Sequence, residues 1–400
     1  MESLKELYRI GPGPSSSHTL GVMNACLYYL NKYPNLDAYK VTLYGSLALT
    51  GKGHMSDKII VDTFNDKKVD VLFKNEAYDE NPNTLVFNED SDKEMVIYST
   101  GGGAISVKGI GGVADKNVYP HNSLSEINEY CDKYDLDYAA YVYKCEVDIK
   151  EYLIIVVKQM LEEIDNGLNT KGDLPGPLNL KRVAFSLYEE AKNCSDQAIK
   201  EKLLLSSYAY AAIEENACGK IVVTAPTLGS CGVLSSVVRK YYDLGFDASK
   251  LADGLAVAGI FGNIVKTNSS ISGAVGGCQA EIGTATSMAS AFAAYLEGLS
   301  KKGIECAAEI AMEHNLGLTC DPVGGYVQVP CIERNGIGAL RSIDCMLYAK
   351  YLGNIKESKV SFDMIVKAMK YTGAKIAMEL KETSLGGLAE VVPFKKPVGC

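Results

Sequence analysis

The sequence has no uninterrupted apolar run of the roughly 18 residues that a membrane-spanning helix needs. Its most apolar stretch, Leu255–Ile264, is short and is followed by Lys266, so it is expected to be a buried helix. The first residues, MESLKELYRIGPG, include no apolar segment typical of a signal peptide. The 40 Lys and Arg residues are outnumbered by 49 Asp and Glu residues, and the resulting net charge of −9 disfavours nucleic acid or an anionic membrane as a main partner. We therefore expect a soluble, cytoplasmic protein.

A dense cysteine framework is missing as well. Twelve cysteines are scattered over 400 residues, unlike the closely spaced sets of small disulfide-rich domains. The thiols are thus expected to be reduced. Hydrophobic residues make up 47% of the chain, which is enough for a full core, and the length indicates two or three domains.

The N-terminal part mixes candidate strands and helices. Segment 56–64 predicts a helix with Ser56 or Asp57 as its cap, and Ser123 with Glu126 forms the capping-box pattern of another helix. The segments with strand length and composition are Val41–Leu49, Lys68–Phe73, Asn83–Phe87, Met95–Thr100 and Ala104–Ile110.

The rest of the chain is mostly helical in pattern and rich in small residues. A segment rich in Gly, Pro, Asn and Asp at 165–180 predicts a loop or linker before it. The predicted fold class is an α+β N-terminal domain over residues 1–145, a connecting helix and linker over 146–182, and an all-α C-terminal domain over 183–400.

Two loops of the N-terminal part carry residues suited to catalysis. The loop Gly11–Thr19, GPGPSSSHT, leads into an apolar helix, and N–H groups and hydroxyls at such a helix start suit a carboxylate or phosphate. A plain Ser-rich helix cap explains this loop equally well. The turn GKGH presents His54, one of four histidines, as a candidate general acid or base. The run TGGG at 100–103 is a further candidate carboxylate cradle, or a bulge between strands.

Four cysteines predict a metal site in the C-terminal part. Cys278, Cys320 and Cys331 lie in polar, Gly-rich runs, and Cys400 ends a short Pro/Gly tail. Three fixed thiolates and one mobile thiolate suggest an iron–sulfur cluster with a replaceable ligand. Any one of these cysteines alone is more simply explained as a core residue, and their spacing matches no zinc-finger pattern.

Taken together, these runs closely resemble the iron–sulfur-dependent L-serine dehydratases of bacteria, in the single-chain form that fuses β-type and α-type domains. The segments that carry the resemblance are Ser15–Thr19, Gly45–His54, Gly101–Gly103, Thr224–Thr227, the run SISGAVGGCQAEIG around Cys278, Ala307–Asn335 and Lys381–Glu390.

The resemblance implies a four-iron, four-sulfur (4Fe–4S) cluster in the all-α domain, held by Cys278, Cys320 and Cys331, with Cys400 capping the fourth iron. It implies deamination of L-serine to pyruvate and ammonia without pyridoxal phosphate, as part of amino-acid degradation and gluconeogenesis. It also implies an oxygen-sensitive homodimer whose partner is a small amino acid, with no nucleic acid and no membrane.

Residue roles follow from the same resemblance, and the site is expected where the two domains meet. We expect His54 to be the catalytic base and His18 to help hold the substrate carboxylate. The other residues expected to bind substrate are Ser15, Ser16, Ser17, Thr19, Lys266, Asn268, Ser269, Ser270 and Ser272.

Two departures from the family pattern leave the substrate open. Leu228 follows the TAPT run where the family usually has Asn, and the chain is shorter than typical members. Because a buried polar group is usually there to pair with something, the change suggests another β-substituted amino acid, L-cysteine or L-threonine, as an alternative substrate. A non-catalytic amino-acid binder or redox sensor that keeps a cluster is the alternative from a different class.

Overall fold

The protein is described by a computed structural model that covers residues 1–113, 117–353, 355 and 358–393. Strands are concentrated in the N-terminal part and helices dominate the remainder, so the predicted order of an α+β region before a mostly helical region is confirmed. The strands are β1 (Ile10–Pro12), β2 (Tyr39–Gly45), β3 (Val69–Lys74), β4 (Asn83–Phe87), β5 (Met95–Gly101), β6 (Ala104–Val107), β7 (Gly111–Gly112) and β8 (Ile221–Val223).

Six of the strands form one sheet in the order β3-β2-β4-β5-β6-β7. The pair β2 and β3 is parallel, and the other neighbours are antiparallel. Helices α1 (Gly21–Lys32) and α3 (Ser56–Phe64) supply residues to an apolar core that also includes alternate residues of β2, β4 and β5. This packing fixes the chain after the Gly11–Thr19 loop, through α1, and on both sides of the turn that carries His54, through β2 and α3.

The other helices are α2 (Ser46–Thr50), a short helix after β2 that packs against the sheet, and those that build the second part. The helices of the second part are α4 (Leu124–Tyr134), α5 (Tyr138–Cys145), α6 (Ile149–Asn169), α7 (Ala184–Asn193), α8 (Gln197–Ala217), α9 (Cys231–Asp243), α10 (Ala248–Asn268), α11 (Gly273–Gly276), α12 (Ile282–Leu296), α13 (Lys301–Glu313), α14 (Cys331–Leu352), α15 (Phe362–Lys375) and α16 (Leu388–Val391). By length and composition, α10 is the one helix among the described residues that is apolar enough to span a membrane, and 78% of its most apolar window is buried. It is therefore the buried core helix that its sequence predicts.

The structure refines several predicted boundaries. The strand predicted over 41–49 ends at Gly45, whose φ of +59° turns the chain into helix α2. Helix 56–64 is confirmed, but it begins after Met55 in a left-handed conformation and has no side-chain cap. The capping box of Ser123 and Glu126 is confirmed. Helix α6 continues to Asn169, so the linker begins five residues later than the composition suggests.

The N-terminal segment is built into the helical part of the molecule. Strand β1 pairs antiparallel with β8, with Gly11 opposite Val222. The loop that follows β1 is thereby fixed against the second part of the chain before α1 returns to the six-stranded sheet. The domain boundaries at residues 145 and 182 stay predictions.

Candidate active site

Two histidines and one glutamate form a buried group between the two parts of the chain. His18, in a π-helical turn at Ser16–Leu20, and His54, at the end of the turn after α2, are 0% and 1% exposed. Their rings are stacked with centroids 4.3 Å apart. Oε1 of Glu382 lies 3.5 Å from Nδ1 of His18 and 4.0 Å from Nε2 of His54.

The hydrogen bond of His54 defines its tautomer. Its Nδ1 lies 2.9 Å from the carbonyl oxygen of Thr50, and since a carbonyl can only accept, Nδ1 carries the proton. Nε2 therefore holds the lone pair on the side of Glu382. Burial lowers the pKa of His54 to about 4, so the ring is a neutral base at neutral pH.

His18 is held at both ring nitrogens. Nε2 lies 3.1 Å from the carbonyl oxygen of Ser46 and 2.8 Å from the hydroxyl of Thr50, which places its proton on Nε2. Nδ1 lies 3.4 Å from the Ser15 hydroxyl. Burial, with the neighbouring His54, lowers the pKa of His18 well below its usual value. His18 is thus neutral and fixed in orientation.

Glu382 joins the histidines to the cysteines. Its backbone N–H donates to the carbonyl oxygen of Cys320 over 2.6 Å, and its own carbonyl oxygen accepts from the Ser46 hydroxyl over 2.8 Å. Its φ is +57°, a conformation that costs a non-glycine residue about 1–3 kcal/mol and persists where the surroundings enforce it. Burial, with Glu281 nearby, raises the pKa of its carboxyl well above the usual value.

The three predicted cluster cysteines come together in this site. Cys278 begins a 3₁₀ turn, Cys320 lies in a loop, and Cys331 is the first residue of α14. Cys278 and Cys320 are buried, and each thiol lies close enough to the others to interact electrostatically. Burial raises the pKa of the Cys278 thiol to about 11 and that of the other two well above the usual value.

The donor set and its spacing fit a cluster better than a single ion. Among the described residues, the one trio whose possible ligand atoms all lie within 4.8 Å of one another is His18, His54 and Glu382, so the three sulfurs are spread more widely. A mononuclear zinc site has Zn–S distances of about 2.3 Å, which puts its sulfurs about 3.8 Å apart. Thiolates are the ligands that iron–sulfur clusters use, so these residues fit the implied group.

Close approach at the site also requires glycine. A Cβ on Gly273 would lie 3.0 Å from Sγ of Cys320 and 2.7 Å from Oε2 of Glu281. The proposed fourth ligand, Cys400, lies outside the described residues, and its role stays a prediction.

The Ser and Thr residues predicted in the Ser15–Thr19 loop make different hydrogen bonds. All of Ser15–Thr19 are buried. The Ser16 hydroxyl accepts from the backbone N–H of Leu228 over 2.6 Å, and the Thr19 hydroxyl donates to the Pro12 carbonyl over 3.1 Å. These two hydroxyls therefore fix the loop. Ser17 is tied in through its backbone, because its carbonyl oxygen accepts from the Ser99 hydroxyl over 2.9 Å.

Ser272 is the member of the second predicted group that faces the glycine run. A Cβ on Gly101 would lie 3.2 Å from its Cβ. Its Oγ is buried and makes no hydrogen bond with the residues that the structure describes. The hydroxyl of its neighbour Ser270 accepts from the Ser272 backbone N–H over 3.0 Å. The buried hydroxyl of Ser272 is thus available to a ligand.

The structure directs Lys266 and Asn268 to other contacts. Nζ of Lys266 lies 2.6 Å from the Glu2 carboxylate and donates to the carbonyl oxygen of Glu6, and Nδ2 of Asn268 donates to the carbonyl oxygen of Asn122 over 2.7 Å. Helix α10 continues through both residues, and Ser269 is only its C-cap. Lys266 and Asn268 thus bind neighbouring segments of the chain, and the role of these three residues in binding substrate stays a prediction.

Several residues of the site have no role in the sequence-based prediction. The Thr227 hydroxyl donates to Oε1 of Glu281 over 2.7 Å, and the guanidinium of Arg334 interacts electrostatically with the Cys278 thiol. Like Glu382, these residues lie in the runs that carry the family resemblance, namely TAPT, CQAEIG, CIERN and KETSLGG. Their position in these runs is the sequence feature that could have identified them as site residues.

Leu228 packs in the core. It is fully buried in an apolar group that includes Leu20 and Ile332, and its backbone N–H donates to the Ser16 hydroxyl. The leucine that stands here in place of the family's usual asparagine is therefore part of the apolar core of this chain.

Comparison with known proteins agrees with this geometry. The serine dehydratase beta chain family matches residues 3–68, and the serine dehydratase alpha chain family matches residues 70–389. The chain is 35% identical to the L-serine dehydratase of Helicobacter pylori (strain ATCC 700392 / 26695), over 98% of this chain and 99% of that protein. It is likewise 35% identical to L-serine dehydratase TdcG of Escherichia coli K12, over 97% and 99% of the two chains. The alignment with the first relative spans 452 positions against 400 residues here, so that relative has segments that this chain lacks.

Proposed function

The chain belongs to the serine dehydratase family, with parts that match its beta and alpha chains fused, and from this premise we propose that it deaminates L-serine to pyruvate and ammonia. The chain is accordingly a lyase, like the L-serine dehydratases that it matches over almost their full length. One observation carries the proposal most directly: the buried histidine pair and the cysteine group meet through the backbone bond between Glu382 and Cys320.

We assign the cluster to Cys278, Cys320 and Cys331. When bound, a 4Fe–4S cluster with a replaceable ligand supplies an iron that acts as a Lewis acid and makes hydroxide a better leaving group. The chain itself shields the site from water, because the two histidines and Cys278 and Cys320 are almost fully buried.

His54 is the proposed base for the Cα proton of the substrate. The bond from Nδ1 to the Thr50 carbonyl keeps the lone pair on Nε2, and burial keeps the ring neutral. A general base must be unprotonated and within reach of the proton it removes. Both the tautomer and the low pKa of His54 prepare it for this step.

The substrate carboxylate is proposed to lie between the Ser15–Thr19 turn and Ser272. The turn supplies the Ser15 hydroxyl, which points to His18, and the opposite side supplies the unpartnered Ser272 hydroxyl and the glycine run 101–103. Hydrogen bonds to the carboxylate make the Cα proton easier to remove. Aminoacrylate, the elimination product, tautomerises and is hydrolysed to pyruvate and ammonia.

The deciding assay uses anaerobically purified protein that has been reconstituted with ferrous iron and sulfide. Formation of a 2-oxoacid is measured with L-serine, L-threonine and L-cysteine, and L-serine is expected to give the largest kcat/KM. Cys320→Ala is expected to lose both the visible absorbance of the cluster and turnover, whereas Cys194→Ala, at a partly exposed cysteine before α8, serves as the control and keeps both. Full activity of iron-free protein contradicts the cluster chemistry, and turnover of L-threonine or L-cysteine alone contradicts the substrate.

A further inference from the structure

We propose that Arg334 is a positioning residue of the cluster site, which holds the Cys278 sulfur and offsets the negative charge of the cysteine group, and that Asp321 keeps Arg334 in place. The inference rests on the proposed function, because it concerns ligands of the cluster assigned there.

The guanidinium of Arg334 is placed among the cysteines by the start of α14. Arg334 lies three residues after Cys331, and 19% of its side chain is exposed. Its Nη1 donates to the carbonyl oxygen of Thr319 over 2.5 Å, and the guanidinium lies close enough to the thiols of Cys278 and Cys331 to interact with them electrostatically. The planar fork of arginine can bind the Thr319 carbonyl and face the cysteines at once, which a lysine amine cannot match in geometry.

Asp321 fixes the other side of this arrangement. Its Oδ1 lies 3.6 Å from Nη2 of Arg334 and accepts from the Thr319 hydroxyl over 2.9 Å. Its Oδ2 accepts from the backbone N–H of Leu388 over 2.8 Å. A Cβ on Gly387 would lie 2.2 Å from that oxygen. Because Asp321 directly follows Cys320, Arg334 is linked to the loop of Cys320, and Asp321 in turn binds the first turn of α16.

The charges of the site require such a cation. Three thiol ligands become anionic when they bind metal, and Glu281 and Glu382 lie near them. Arg334 interacts favourably with Cys278 and Cys331, whereas the neighbours that act on Cys320 are carboxyls and the other two cysteines. Arginine stays charged when buried, and hydrogen bonds to cluster sulfurs tune the reduction potential. Loss of an outer contact of this kind typically costs 10–100-fold in metal affinity.

The test compares Arg334→Gln and Arg334→Lys with a control, Arg341→Gln, on the same helix two turns further along. Each protein is reconstituted anaerobically, and iron and sulfide per chain, the decay of cluster absorbance under a chelator, and the midpoint potential are measured. Arg334→Gln is expected to lose its cluster about 10–100-fold faster than the wild type and to have a lower potential, because a positive charge is removed. Arg334→Lys keeps the charge, so its potential should stay near that of the wild type while its decay is faster. The control should match the wild type in both.

Wild-type decay and potential in Arg334→Gln would overturn the inference. If circular dichroism shows that this variant does not fold, Arg334→Lys and Asp321→Asn decide, and the inference is overturned if both lose the cluster at the wild-type rate. A wild-type protein that binds no cluster would refute the proposed function itself. A wild-type protein that binds the cluster, with an equally stable cluster in Arg334→Gln, would refute only the role of Arg334.

Discussion

At the scale of single residues, hydrogen bonds separate the roles of two histidines that the sequence leaves alike. Both rings are buried and neutral, but His18 is held at both nitrogens by Ser15, Ser46 and Thr50. Among the residues that the structure describes, His54 is hydrogen-bonded at Nδ1 to a carbonyl oxygen, so its Nε2 lone pair faces Glu382. A fixed ring suits substrate orientation, and a ring with an oriented lone pair suits proton removal.

Replacing His54 with alanine should therefore remove the base without removing the cysteine site. We expect kcat for L-serine to fall about 10²–10⁴-fold, the usual contribution of a positioned base, while the absorbance of the reconstituted cluster is retained. His314→Ala, at an exposed helix end, is the matched control and should keep wild-type kcat. A larger loss of kcat in His18→Ala with unchanged KM would show that the two roles are exchanged.

The low pKa of His54 also makes a prediction for stability. In the unfolded chain the ring takes up a proton near pH 6.5, whereas in the folded protein burial delays this to about pH 4. Between these values the unfolded state binds more protons, so the free energy of unfolding falls as the pH falls. The contribution is about 3 kcal/mol, fully present above pH 6.5 and lost by about pH 4.

Urea unfolding of the metal-free protein across this pH range measures the effect. His54→Gln should show a shallower decline in the free energy of unfolding than the wild type, and His314→Gln should keep the wild-type slope. Parallel slopes for the wild type and His54→Gln would mean that His54 is protonated in the folded protein over this range.

Sequence patterns identified the histidines but not their partner Glu382. The chain has only four histidines, so a histidine on a Gly-rich turn, such as His54, is readily identified as a candidate catalytic residue. Glu382 is one of many acidic residues, and its importance comes from a left-handed backbone and from contacts with residues more than 300 positions away. Such long-range contacts have no local signature, so only the structure shows that this carboxyl lies between the two rings.

At the scale of elements, the short helix α11 and the turn after it bring a carboxylate and a thiol close together. Glu281 and Cys320 both approach Gly273 so closely that a Cβ there would lie within 3.0 Å of each. Contacts this short force neighbouring atoms to move. The cysteine site therefore depends on a missing side chain as much as on the thiols themselves.

Gly273→Ala should for this reason lower the amount of cluster bound and the turnover of L-serine by at least about tenfold, as expected for a disturbed metal site. Gly229→Ala is the matched control, because its Cβ would contact the same Glu281 carboxylate at an ordinary 3.4 Å and should leave both nearly unchanged. Iron and sulfide content after reconstitution checks the prediction. Equal content in the two variants would show that the loop adapts to the added methyl group.

Helix α10 shows where the structure places Lys266 and Asn268, whose role in binding substrate stays a prediction. Both stand shortly before Cys278 in the chain, but α10 extends through them and carries their side chains to the N-terminal segment and to the loop at Asn122. Ser272 follows the end of that helix, and the chain has turned toward the glycine run by then. The helix boundary thus decides which neighbouring segments these side chains contact.

At the scale of the whole molecule, the site depends on how the two parts of the chain are joined. The histidines follow β1 and α2, whereas the cysteines belong to the helical part. The pairing of β1 with β8 fixes the Ser15–Thr19 loop against the helical part. The order of the two parts was predictable from composition, but this pairing of three-residue strands, separated by about 200 positions, was not.

Thr224, directly after β8, stabilises the pairing of β8 with β1. Its hydroxyl donates to the carbonyl oxygen of Leu7 over 2.5 Å and accepts from the backbone N–H of Arg9 over 2.7 Å, and the residue is fully buried. Thr224→Val keeps the shape but leaves both backbone groups without these bonds, at a cost of about 1–3 kcal/mol for each buried group. We expect the free energy of unfolding to fall by at least about 2 kcal/mol, and kcat/KM to fall because the loop that carries His18 follows β1, the strand that pairs with β8.

The matched control is Thr63→Val, whose hydroxyl bonds only to the carbonyl oxygen of Ile59 in its own helix and should cost no more than about 0.5 kcal/mol. Urea unfolding and L-serine turnover of the two variants show whether the pairing of β1 with β8 or the packing of α1 on the six-stranded sheet positions the histidines. A stability loss in Thr224→Val with unchanged kcat/KM would mean that α1 and the six-stranded sheet position the histidines by themselves. Losses in both would mean that the pairing of β1 with β8 positions the catalytic loop of this chain.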